Sequence, residues 1–191
     1  MIRLWFVRHG PTGIKAMVGW SDPPAILDDR PALDRLSSFL PDKASVVSSD
    51  LQRTVQTADA ICNGRPRLPH DAGLREIYFG AWEMCDFAEI ESKDPQRIRA
   101  FWERPGDIAP PDGESWNQTS QRVSVAVDKY VARGDRDLII VCHFGAILSQ
   151  LQRATGKSAY ETFAQPIANL SVTRIDCTPE GWSAPLVNHL P

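Results

Sequence analysis

No stretch of this chain approaches the roughly 18 or more consecutive apolar residues that a membrane-spanning helix needs, so a membrane protein is not expected. Cysteine is scarce: the four, Cys62, Cys85, Cys142 and Cys177, lie far apart and form no C-x-x-C pair. With only four histidines beside them, a structural zinc site is not expected either. A surplus of positive charge is also missing. The formal net charge is −3, and nothing in that balance recommends nucleic acid or an anionic membrane surface as a partner. The start Met1-Ile2-Arg3 shows neither a signal-like apolar run nor a small-residue cleavage site. There is no internal repeat and no low-complexity tract. These absences lead to the expectation of a reduced, cytoplasmic, soluble protein.

What is present suits a folded enzyme-sized domain. The 191 residues, with 42% hydrophobic and 24% charged, can bury one good core, and residues 1–191 are expected to form a single domain. Arginine greatly outnumbers lysine, and its planar fork suits bidentate recognition of oxyanions.

Ile2 to Val7 is short, mostly apolar and rich in branched and aromatic residues, the pattern of a buried strand. It stops at Arg8-His9-Gly10-Pro11-Thr12, and Gly13 to Asp29 reads as a loop. Pro31 to Phe39 has leucines at helical spacing. Ala44 to Ser49 reads as a second strand opening onto a helix from Asp50 to Ile61. Ser49 or Asp50 is its expected N-cap, and Arg53 falls in its first turn. Leu74 to Ile77 reads as a third extended stretch. From residue 84 to 113 charges and prolines accumulate, which predicts one or two short helices plus a proline-rich loop, inserted over the sheet edge. A helix is then expected to about Arg133. Leu138 to Cys142 is an unbroken apolar run, a strand buried on both faces, and it passes through His143-Phe144-Gly145 into a helix ending near Thr155. Leu170 to Asp176 and Trp182 to Val187 read as a closing hairpin around Pro179-Glu180-Gly181.

The segment ends gather chemistry: Arg8 and His9, then Arg53, then Glu76, then His143. In α/β sheets ligands bind outside the carboxyl ends of the strands. Two arginines and two histidines there would hold a dianionic phosphate by several charge-assisted hydrogen bonds. Nearby guanidinium groups disfavour protonation of imidazole, and only neutral imidazole has a lone pair with which to attack phosphorus. A carboxyl group can supply the proton that a leaving alkoxide needs. Glu83, seven residues beyond Glu76, competes for that role. Glu114 is either functional or a helix-start carboxylate. His70 and His189 are expected at the surface, and Trp82, Trp102 and Trp116 in packing.

In this order the motifs R-H-G-x-T, S-S-D-L-Q-R-T-x-Q-T-A, L-R-E-I-x-F-G-x-W-E, G-E-S and V-C-H-F-G resemble the histidine phosphatase superfamily, branch 1, the phosphoglycerate-mutase-like group. The likeness runs from residue 8 to 145. The resemblance implies a three-layer α/β/α sandwich with a mostly parallel sheet, the 84–113 insertion covering the site. It implies that His9 is the nucleophile that becomes phosphohistidine and that Arg8 and Arg53 hold the phosphate. His143 would stabilise the transferring group, and Glu76 would be proton donor and then base, with Glu83 behind it. Thr12 would help bind phosphate. No metal or other cofactor is implied, and the partner would be a small phosphorylated metabolite.

The chain departs from the family pattern in places. Pro11 replaces an acidic residue, an asparagine after the R-H-G has no clear counterpart, Gly19-Trp20-Ser21-Asp22 arrives early, and Met84 follows Glu83 where a glycine is common. There is no room for the larger insertions of the phosphoglycerate mutases proper. The layout is similar to the smaller members, which include α-ribazole phosphatases, so phosphatase is favoured over mutase-type phosphoryl transfer. A non-catalytic module that binds a phosphorylated ligand is the third alternative, and a homodimer is left open.

Overall fold

The computed structural model describes residues 1–191. Its centre is one five-stranded sheet of β1 (Ile2–Arg8), β2 (Ser45–Ser48), β3 (Asp137–Cys142), β4 (Val172–Thr178) and β5 (Gly181–His189), in spatial order β2-β3-β1-β4-β5. β2, β3 and β1 pair in parallel, while β4 runs antiparallel to β1, and β5 to β4. All six residues of β3 are buried, as expected of an apolar strand flanked on both sides and covered on both faces.

Seven helices complete the fold: α1 (Arg30–Phe39), α2 (Gln52–Ile61), α3 (Phe87–Lys93), α4 (Pro95–Glu103), α5 (Trp116–Arg133), α6 (Phe144–Thr155) and α7 (Ala159–Phe163). Alternate residues of a strand face opposite sides, and β1 shows it. Leu4 and Phe6 join α5 and α6 through Val123, Val127 and Ile147. Trp5 and Val7 join α1 and α2 through Leu33, Leu36, Ala58 and Ile61. The result is the expected three-layer α/β/α arrangement around a mixed sheet. No helix is long and apolar enough to cross a membrane.

Three local expectations are corrected. Leu74 to Ile77 is not a strand: short 3-10 turns at Ala72–Leu74 and Gly80–Trp82 bracket an irregular segment. No neighbouring strand satisfies its carbonyls. The Arg122 guanidinium donates to Gly73, Arg75 and Glu76, and the Trp20 indole N–H also donates to Glu76. Second, α2 begins at Gln52, and neither Ser49 nor Asp50 caps it. The Ser49 hydroxyl is engaged with His143 and Thr54, and Asp50 pairs with Arg75. Third, α7 was not expected. It is a five-residue helix that carries its own Ser158–Glu161 capping box.

Candidate active site

A cavity of about 340 Å³ opens at the carboxyl end of β1, and Arg8, His9, Thr12, Lys15, Arg53 and Glu76 are in its wall. The strand places Arg8 as its last residue and His9 immediately after it. The turn into α2 brings Arg53 alongside.

His9 is 7% exposed. Its Nδ1 lies 2.6 Å from the carbonyl oxygen of Gly10. A carbonyl can only accept, so Nδ1 carries the hydrogen and Nε2 holds the lone pair. Arg53 agrees with that assignment, since its Nε–H donates to the same Nε2 at 3.3 Å. Burial first, then the Arg53 charge, pushes the imidazole pKa down to about 3, so the ring is neutral at physiological pH.

The two arginines are held by backbone oxygens rather than by carboxylates. Arg53, 1% exposed, donates to the carbonyls of Ser21 (2.8 Å) and Gly19 (2.6 Å). Arg8 donates to the carbonyl of Ile167 at 2.6 Å, lies 5.4 Å from the Phe144 ring centroid, and its buried Nε has no partner. Burial lowers the pKa of both, though a guanidinium stays charged throughout the accessible pH range. One buried and one half-buried cation with no paired carboxylate make an anion site.

The two glutamates that compete in the sequence have different surroundings. Glu76 is buried, and its carboxylate meets two amides: Ile77 N at 2.9 Å, and Gly145 N at 2.9 and 3.1 Å from its two oxygens. Gly145 is required there, because a Cβ would lie 2.3 Å from Glu76 Oε1. Burial raises the Glu76 pKa, against the opposing pull of those amides and of Arg53 and Arg8. Glu83 is already saturated. It accepts from the amides of Gly19, Trp20, Ser21 and Phe79 and from the Ser21 hydroxyl. That grip fixes the 19–21 loop whose carbonyls hold Arg53. Gly19 allows the approach, since a Cβ would meet the Ile77 carbonyl at 2.2 Å.

His143 is fully buried behind His9, with ring centroids 5.1 Å apart, and its Nε2 is 2.7 Å from Ser49 Oγ. Burial and the Arg53 charge push its pKa well below the ordinary value. Thr12 is in the cavity wall, its hydroxyl accepting weakly from Ile14 N at 3.4 Å. Arg8, His9, Thr12, Arg53 and Glu76 therefore line one cavity, and His143 packs behind His9 outside its wall. Three further contributors were not anticipated. Asn169 donates to the His9 carbonyl at 2.7 Å. Arg122 fixes the Glu76 segment and is itself paired with Glu114. Trp20 lies under Arg75, 4.6 Å from ring centroid to guanidinium carbon. Glu114 thus anchors Arg122 and the Tyr78 amide, while Ser115 caps α5. His70 is exposed and His189 half-buried.

The model of the histidine phosphatase superfamily (branch 1) matches residues 4–189. The chain belongs to that superfamily. Among curated proteins, this histidine phosphatase family member is 26% identical to a Proteus mirabilis protein named "Probable phosphoglycerate mutase GpmB", over 96% of this chain and 89% of the other. It is 28% identical to the adenosylcobalamin/alpha-ribazole phosphatase of Salmonella typhimurium over 76% of each. Among solved structures, Bacillus stearothermophilus YhfR matches with a TM-score of 0.90 and 27% identity, covering 100% of this chain and 98% of that one. A mycobacterial glucosyl-3-phosphoglycerate phosphatase matches at 0.86 and 25% identity, covering 100% of both.

Proposed function

We propose that this protein is a metal-independent phosphatase that hydrolyses a small phosphomonoester through a phosphohistidine at His9. One observation carries the reading. His9, whose Nε2 holds the lone pair and accepts only a long 3.3 Å bond from Arg53, lines a cavity together with Arg8 and Arg53, neither of which has a carboxylate partner. A bound phosphoryl group would place its oxygens on Arg8 and Arg53. Nε2 attacks phosphorus, and the positive charge that develops on the ring is stabilised by the Nδ1–H bond to the Gly10 carbonyl. Glu76, its pKa raised by burial, gives its proton to the leaving alkoxide. It then takes a proton from the water that cleaves the P–N bond. His143 stabilises the transferring group, and Thr12 assists its binding. The charge is neutralised by preorganised guanidinium groups. Residues 1–191 act as one domain, with 84–113 covering the site.

Turnover of a generic aryl phosphate tests this. His9→Ala is expected to abolish it, chelator to leave it intact, and acid-labile, base-stable phosphoenzyme to be trapped in the unaltered protein. Mutase-type transfer is the second reading, favoured by the name of the Proteus mirabilis relative. Incubation with 3-phosphoglycerate and a bisphosphoglycerate primer separates the two: isomer without free phosphate would replace the phosphatase reading.

A further inference from the structure

We infer that Lys15 makes this a phosphatase for substrates whose alcohol half carries a second anionic group, a carboxylate or another phosphate. The inference rests on the phosphatase reading for its place in catalysis, but not for the binding it asserts. It starts from the charges around the cavity. A phosphomonoester is a dianion above its second pKa of about 6, and Arg8 and Arg53 together balance it. The imidazoles of His9 and His143 are neutral, and burial holds the Glu76 carboxyl towards its neutral form. Asp22 and Glu83, which also lie near Arg53, are committed to the amides of Gln52 and of the 19–21 loop. Lys15, the third cation in the cavity wall, is therefore left over. It makes no hydrogen bond or ion pair with the protein, although the chain as a whole carries an excess of acid.

The loop around it offers donors as well. Thr12, Gly13, Lys15, Ala16 and Val18 all line the cavity, and their amides donate to no protein acceptor. The one amide in that run with a side-chain partner, Ile14, makes a 3.4 Å bond. A cation beside a row of free amides suits a carboxylate or phosphate oxygen. It lies on the loop side of the cavity, while the transferring group belongs with the arginines.

The test compares 3-carboxyphenyl phosphate with 3-carbamoylphenyl phosphate, which has the same shape and one charge fewer. Dissociation constants are measured by calorimetry on the His9→Ala protein, so the result does not depend on turnover. The carboxylate is expected to bind about fivefold tighter, the effect of one partly exposed ion pair. That preference should shrink with added salt and fall to about one in His9→Ala/Lys15→Gln. Lys43→Gln makes the same charge change just before β2, at the amino end of the parallel strands and so at the end of the sheet away from the cavity, and should keep the preference. Equal affinities in the first protein, or a preference that survives Lys15→Gln, would overturn the inference. Absence of turnover in the unaltered protein would overturn the phosphatase reading instead.

Discussion

The helices of this protein begin in two different ways. α1, α3, α4, α5 and α7 each start on a side chain adjacent in sequence, Asp29, Asp86, Asp94, Ser115 and Ser158, which accepts an amide of the first turn. α2, which carries Arg53, and α6, which follows His143, have no such cap. Their open amides are met from a distance: Gln52 N donates to Asp22 at 2.6 Å, and Gly145 N to Glu76. A local cap serves the helix alone. A remote cap ties the helix start to a loop that also builds the site, because Asp22 follows the loop gripping Arg53 and Glu76 is the proposed acid.

Removing Glu76 should show this contrast most strongly. Glu76→Gln keeps an acceptor for Gly145 N but has no proton to give, so kcat/KM should fall by about 10²–10⁴-fold with little change in Tm. The sign of the pH dependence follows from the shift. Because the pKa is raised, the protonated acid persists to higher pH than an ordinary glutamate, and activity falls as pH climbs through that raised value. His9, with its pKa near 3, causes no loss on the acid side near pH 6.5. A kcat/KM profile whose alkaline limb survives Glu76→Gln would show that another group donates the proton.

Next in size are the supports of Arg53. Asp22→Ala and Glu83→Gln each loosen the 19–21 loop, and a displaced guanidinium should cost about tenfold or more in kcat/KM, together with weaker competitive inhibition by inorganic phosphate. Asp22 is exposed, so its stability cost should stay within about 1 kcal/mol. Ser115→Ala, a local cap, should do the reverse: about 1 kcal/mol of stability lost, seen as a Tm lowered by about 2–4 °C, with kcat/KM unchanged. If the two kinds of cap gave the same pattern, the division between them would fail.

The same division explains what could be read from the sequence. The local caps, the apolar strands and the motif residues Arg8, His9, Arg53, Glu76 and His143 are written in adjacent or regularly spaced residues. Asn169, Arg122 and Trp20 act across separations of 160, 46 and 56 residues, and no spacing rule connects them to the site. Leu74 to Ile77 reads as an extended stretch, and the structure does bury Leu74 and Ile77. An arginine side chain, not a neighbouring strand, satisfies its carbonyls. Ser49 and Asp50 have the composition of a cap, but tertiary partners claim both side chains.

The smallest expected effect lies just beyond Glu83. Met84 has a φ of 62°, in the left-handed region that favours glycine. A side chain there costs about 1–2 kcal/mol. Glycine removes that strain but loses about 0.5–1 kcal/mol through the freedom of its unfolded chain. Met84 is 49% exposed, so its truncation gives up little burial. The Met84 amide still donates to the Met17 carbonyl at 2.9 Å, which glycine can do equally well. Met84→Gly should therefore stabilise the protein by about 0.5 kcal/mol, read as a higher denaturant midpoint at constant m. A lower midpoint would mean that the methionine side chain packs usefully at the rim and that its contacts, not the backbone, decide the residue.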